Sequence, residues 1–111
     1  MRDKSYKVII TPKAADMLIF HSRFIANVSE KAAMQFINEF NIKAKSLENL
    51  PERNPYIIDP MIPEGKYRKI IILKRYLLIY QIKDENVYVD ALLDCRQDYK
   101  WLAAEGTRRH L

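Results

Sequence analysis

The chain has 111 residues, 49% of them apolar, with two Gly, five Pro and a single cysteine, Cys95. That is the length of one domain, spanning 1–111, with enough apolar mass for its own core. One cysteine excludes a disulfide framework and a multi-Cys zinc site, and no apolar run reaches the roughly 18 residues that span a bilayer. Nineteen Lys and Arg against fourteen Asp and Glu leave a net charge of +5. The opening MRDKSYKVII has too short an apolar stretch for a signal peptide, so a cytoplasmic protein with no membrane partner is expected.

Taken in chain order, Tyr6–Ile10 reads as a short, mostly apolar and β-branched strand. Thr11-Pro12 follows as a helix start, an N-cap and a proline at the first helical position. Met17, Leu18, His21, Phe24, Ile25 and Val28 then recur at spacings that make one broad apolar helix face. Ser29 caps a second helix, in which Ala33, Phe36, Ile37, Phe40, Ala44, Leu47 and Leu50 keep helical period until Pro51 stops it. Residues 51–65 hold four of the five prolines and predict an irregular connection. Three strands are expected at Tyr67–Leu73, Tyr76–Ile82 and Val87–Leu93, joined as hairpins. Lys74-Arg75 suits a two-residue turn poorly, so the first hairpin loop is expected to borrow flanking residues. Asp98–Glu105 reads as a short last helix before Gly106, and 106–111 as a mobile basic tail.

The order is β-α-α-β-β-β-α, an α+β fold with a helical hairpin packed on a small, mainly antiparallel sheet. Period-two alternation places Arg68, Ile70 and Ile72 on one sheet face and Tyr67, Lys69 and Ile71 on the other. The strands are apolar enough for both faces to be partly covered, by a partner's helix or by the chain's own last helix.

Lys66, Arg68, Lys69, Lys74 and Arg75 fall within ten residues containing no acid. With Tyr76 beside them they form a candidate surface for nucleic acid or an acidic protein partner. Solvated protection of a strand edge accounts for part of this charge. His21, among apolar neighbours, reads as a partly buried structural residue. Cys95 beside Arg96 has two readings, a thiol lowered by the guanidinium or a buried inert cysteine.

The chain resembles the RelE/ParE family of bacterial type II toxins. The resemblance rests on Ile10-Thr11-Pro12 with Ala14-Ala15, on Leu47-Glu48-Asn49-Leu50-Pro51, on Lys66-Tyr67-Arg68-Lys69, on Tyr76–Ile82, and on Leu92–Tyr99, with order and spacing agreeing over residues 6–102. It implies a growth-arresting toxin neutralised by a cognate antitoxin, with no cofactor and no metal. The family has two activities: ParE-like members inhibit DNA gyrase by binding, and RelE-like members cut messenger RNA on the ribosome. Carried over from the RelE-like branch, the catalytic set would be Arg68, Arg96 and Tyr99. That branch places an Arg in the second hairpin strand where this chain has Leu77, and a Leu cannot stabilise developing phosphate charge. The resemblance therefore tilts towards gyrase, with ribosome-dependent cleavage as the alternative. A degenerate, non-toxic binding module is the third reading.

Overall fold

The computed structural model describes residues 5–95, so the expected last helix, Arg96, Tyr99 and the basic tail lie outside the described residues. Strand β1 (Lys7–Ile10) leads into helix α1 (Pro12–Ala26). Thr11 caps that helix, its Oγ1 accepting from the Ala14 amide (3.2 Å) and donating to the Val89 carbonyl (3.1 Å). Helix α2 (Glu30–Ser46) starts at Ser29, whose Oγ accepts from the Ala32 amide (3.1 Å). The three remaining strands are β2 (Arg68–Ile72), β3 (Tyr76–Lys83) and β4 (Asn86–Asp94). The sheet order is β1-β4-β3-β2; β1 runs parallel to β4 and the other pairs are antiparallel. The α+β architecture is as the sequence predicts, over all but its last element.

Both helices end earlier, or face differently, than their periodicity suggests. Phe24 and Val28 are 59% and 87% exposed, so the packed face of α1 is Ala14, Met17, Leu18, His21 and Ile25. Helix α2 closes at Ser46 with Leu47 as its C-cap, and Leu50 turns outward in a left-handed conformation (φ 50°). The residue before a proline is disfavoured in the right-handed helical region. Leu50 precedes Pro51, which opens a 3-10 turn at Pro51–Arg53.

The β2–β3 hairpin loop is Leu73-Lys74-Arg75, with Leu73 and Lys74 at φ 52° and 61° and the Arg75 amide bonded to the Ile72 carbonyl (3.1 Å). The turn does draw in its flanking leucine, because Lys-Arg alone does not supply two positive-φ positions of the kind Gly or Asn provide.

One extra residue in β4 divides the core. Pairing shifts between Ile79↔Ala91 and Tyr80↔Val89, leaving Asp90 as a bulge. A bulge reverses the alternation of the strand beyond it. Val87 and Val89 face the helices before it; Leu92 faces them after it, while Ala91 and Leu93 face the opposite side. On the helix side, Phe36, Phe40, Leu47, Ile72, Leu78 and Tyr80 complete the main core. On the other side, Leu77, Ile79, Ala91 and Leu93 pack against Ile57 and Ile62 of the proline-rich connection. That connection therefore covers part of the second face, and the last helix considered from sequence as a cover lies outside the described residues.

Replacing Thr11 by Ala removes both a cap and a tie to β4. We expect a loss of about 1–2 kcal/mol in urea-unfolding stability with an unchanged m-value.

Candidate functional site

The basic residues picked out from sequence are distributed along β2 and the hairpin tip, and they differ in what holds them. Arg68 is committed to the chain itself. Its Nη1 donates to the carbonyls of Glu52 (2.8 Å) and Asn54 (2.6 Å), and its guanidinium lies 3.9 Å from the Tyr56 ring centroid. Opposite it in register, Tyr80 is fully buried; its hydroxyl donates to the Pro51 carbonyl (2.6 Å) and accepts from Asn54 Nδ2 (3.0 Å). Burial pushes the Tyr80 phenol up, against the opposing effects of the Asn54 hydrogen bond and the Arg68 charge. Together Arg68 and Tyr80 fasten residues 51–56 to the sheet.

At the other end of β2, Arg75 Nη2 and Nε reach Asp94 Oδ2 (3.2 and 3.3 Å), and the Cys95 amide donates to the Arg75 carbonyl (2.5 Å). Lys74 stands exposed at the turn. Lys66 Nζ lies 5.2 Å over the Tyr67 ring. Lys69 sits midway along β2, with its amide bonded to the Pro55 carbonyl (3.1 Å). Five strand residues, about 3.3 Å each, separate the two ends, so the charge forms a stripe along a sheet edge rather than one anion-binding focus.

Tyr76 stands inside, not on this surface. It is 5% exposed, packed on Phe36 (4.7 Å between centroids) and His21 (5.2 Å), and burial raises its phenol. No base can stack on a ring so enclosed. His21 is the structural residue expected: the Leu92 carbonyl accepts from its Nε2 (2.8 Å). Beside it the Leu92 amide meets Met17 Sδ (3.4 Å). These two side chains take up the backbone of β4 beyond the four residues that β1 pairs.

Cys95 corrects the buried reading, while the other turns on Arg96, which lies outside the described residues. It is exposed rather than buried, and its thiol is pushed up by partial desolvation and then by the Asp94 carboxylate, with Lys69 opposing. A raised thiol pKa disfavours the thiolate, the nucleophilic form. Arg96 and Tyr99 lie outside the described residues.

Two features escape the sequence. Asp90, the bulged residue, accepts from Gln81 Nε2 (2.6 Å); burial raises its carboxyl, opposed by that hydrogen bond and by Lys66, Lys83 and Lys13. The second is an apolar cavity of about 910 Å³ within residues 56–65, lined by Ile57, Ile58, Met61 and Ile62 among others. Among the described residues, no group of three or more His, Cys, Asp or Glu side chains is placed to hold a metal ion, and no helix is long and apolar enough to cross a membrane.

A family model described as the ParE toxin of the type II toxin-antitoxin system, parDE, matches residues 8–99. The chain belongs to this family. It is thus the toxin component of a type II toxin-antitoxin module, and a cognate antitoxin is its implied partner. Among solved structures it is similar to the chromosomal ParDE toxin-antitoxin system from P. aeruginosa, with TM-score 0.67 and 12% identity, over 82% of this chain and 97% of that one. At that identity the likeness is one of fold, and the ParE fold is the one described above. No curated protein matches the sequence.

Two predictions follow the geometry. Tyr80→Phe leaves the Pro51 carbonyl and the Asn54 amide without their buried partner, and we expect a loss of about 1–3 kcal/mol by denaturant unfolding. Asp90 has a raised native pKa, so the folded state holds its proton more tightly than the unfolded chain. Its contribution is therefore favourable at low pH and is lost as pH rises through the native value. Asp90→Asn should stabilise this ParE chain at pH 7 by less than about 1 kcal/mol, given the partial solvent screening, and lose that advantage near pH 3. Paired melts at the two pH values check the sign.

Proposed function

We propose that this toxin arrests growth by binding DNA gyrase in the bacterial cytoplasm rather than by cutting messenger RNA. The observation that carries the reading is the state of Leu77. Its side chain is buried among Ile79, Leu93, Ile57 and Ile62, where an RNA-cutting relative of the RelE branch holds a phosphate-clamping Arg. Metal-free RNA cleavage requires positive charge preorganised around the scissile phosphate. An arginine at this place would instead need partners inside an apolar layer.

The placement of Arg68 supports the same conclusion. The resemblance to RelE-like enzymes would assign it to catalysis, yet its guanidinium holds the Glu52 and Asn54 carbonyls and covers Tyr56. Moving it to a phosphate would release the 51–56 segment. Lys66, Lys69, Lys74 and Arg75 then serve as contacts for protein partners, gyrase or the antitoxin's acidic segment, through charge that speeds and orients encounter.

Induction of the chain without antitoxin should stop growth and produce no new RNA 5′ ends at fixed codon positions, while the purified protein should block gyrase supercoiling in vitro. New ends at fixed positions of translated messages, abolished by Arg96→Ala, would overturn the gyrase reading in favour of the ribosome-dependent nuclease. Normal growth with unaffected gyrase would leave a non-toxic binding module.

A further inference from the structure

Helix α1 presents different sides to different surroundings. Ala14, Met17, Leu18, His21 and Ile25 form its packed face, and Ala15, Ser22 and Ala26 a half-buried flank. The remaining side is exposed throughout, along Lys13, Asp16, Phe20, Arg23 and Asn27. Alternating steps of three and four residues keep these five on one line down the helix. Phe20, at the centre of the line, is 68% exposed, and the exposed Phe24 and Val28 border it. Apolar side chains gathered on the outer face of a helix mark a contact with something other than water.

The charges on this line select the occupant. Asp16 lies four residues before Phe20 and Arg23 three residues after it, about 6 and 4.5 Å along the axis at a rise of about 1.5 Å per residue. Among the described residues, neither side chain makes an ion pair or a hydrogen bond. A second α1 laid antiparallel, with the two Phe20 rings at the crossing point, would bring each Asp16 beside the Arg23 of the other copy. The same reversal sets Val28 against Pro12 and Asn27 against Lys13. A parallel arrangement would oppose Asp16 to Asp16 and Arg23 to Arg23. Two-fold association brings one surface against itself, so it needs a patch complementary to its own reversal. The α1 line meets that requirement, whereas the Lys66–Arg75 hairpin would set cation against cation.

We infer that the exposed face of α1 is a self-association surface, on which a second copy of this chain docks antiparallel across Phe20 with reciprocal Asp16–Arg23 pairs. The aromatic rings at the centre supply the anchor, as large aromatic side chains do in protein interfaces. The ion pairs at either end fix orientation more than they add affinity, since exposed pairs contribute little each. Helix α1 packs on β4, and β2 with its lysines lies at the far end of the sheet order from β1. The inference therefore does not rest on the choice of gyrase as target.

Sedimentation of the full-length free chain over a range of concentrations is the direct test, and a dimer is expected. Phe20→Glu should weaken that dimer at least tenfold and melt within a few degrees of the parent, because Phe20 stands outside the packed face of α1. Asp16→Arg and Arg23→Asp, each alone, place like charges together at both ends of the contact. Each should weaken the dimer about tenfold at low salt and less at high salt. Combined, the two changes exchange the partners and should restore the dimer to within about threefold of the parent. The helix dipole disfavours both changes and would make the double variant the least stable, so rescue reports pairing between copies. A monomer at every concentration, a dimer indifferent to Phe20→Glu, or a double variant no tighter than the single ones overturns the inference while leaving the toxin assignment intact. A monomeric chain whose folded Phe20→Glu variant no longer binds the antitoxin overturns it in favour of the antitoxin as occupant of this face.

Discussion

The sheet has two faces to cover and one helical hairpin with which to cover them, and the interaction that resolves this is the clamp between Tyr80, Arg68 and the carbonyls of residues 51–54. A fully buried phenol donating to Pro51 fixes the chain just after α2. Arg68, its cross-strand neighbour, holds Glu52 and Asn54. From that anchor the proline-rich connection is directed along β2 and then across the second face, where Ile57 and Ile62 settle on Leu77 and Ile79. Hydrogen bonds to a buried hydroxyl and a guanidinium are stronger than exposed ones and costly to leave half made. The same residues therefore shape the second core and set, among the described residues, how far the connection pairs along β2.

The bulge at Asp90 is the complementary device. A regular β4 would have sent Ala91 and Leu93 towards the helices and left the second face short of apolar surface. One added residue reverses the strand, so that each side receives a share, at about 25 cal/mol for each Å² of apolar surface removed from water. The cost is a half-buried carboxylate. The Gln81 amide and surrounding lysines offset part of it.

This layering bears directly on what the toxin can do. The positions that cleave RNA in RelE-like relatives require long cations free to converge on a phosphate. Here one such position is an apolar residue inside the second core, and another is spent on holding a loop. What remains exposed is a stripe of lysines along an apolar strand edge and hairpin tip, a surface suited to proteins that bring carboxylates.

Much of the fold was legible in the residues alone because its determinants are local. Thr11-Pro12 and Ser29 mark helix starts through side-chain capping, and the 3.6-residue and two-residue periods separate helices from strands. The family resemblance was likewise visible, since it rests on the order and spacing of short segments. Other properties were set only by contacts distant in sequence. Phe24 and Val28 share helical period with the packed face of α1 yet stand in solvent, because the width of a buried face depends on what lies opposite. Arg68 reads as a free cation until Glu52 and Asn54 arrive beside it, and Tyr76 as a surface ring until Phe36 and His21 enclose it. The bulge at Asp90 has no glycine to announce it; it exists because two apolar layers compete for one strand. Sequence by itself determined which segments are helix and strand and that the chain is basic along one hairpin. Tertiary structure decided which of those charges are committed internally and which stand exposed, because hydrogen bonding and burial across the sheet, not residue type, determine whether a cation is available.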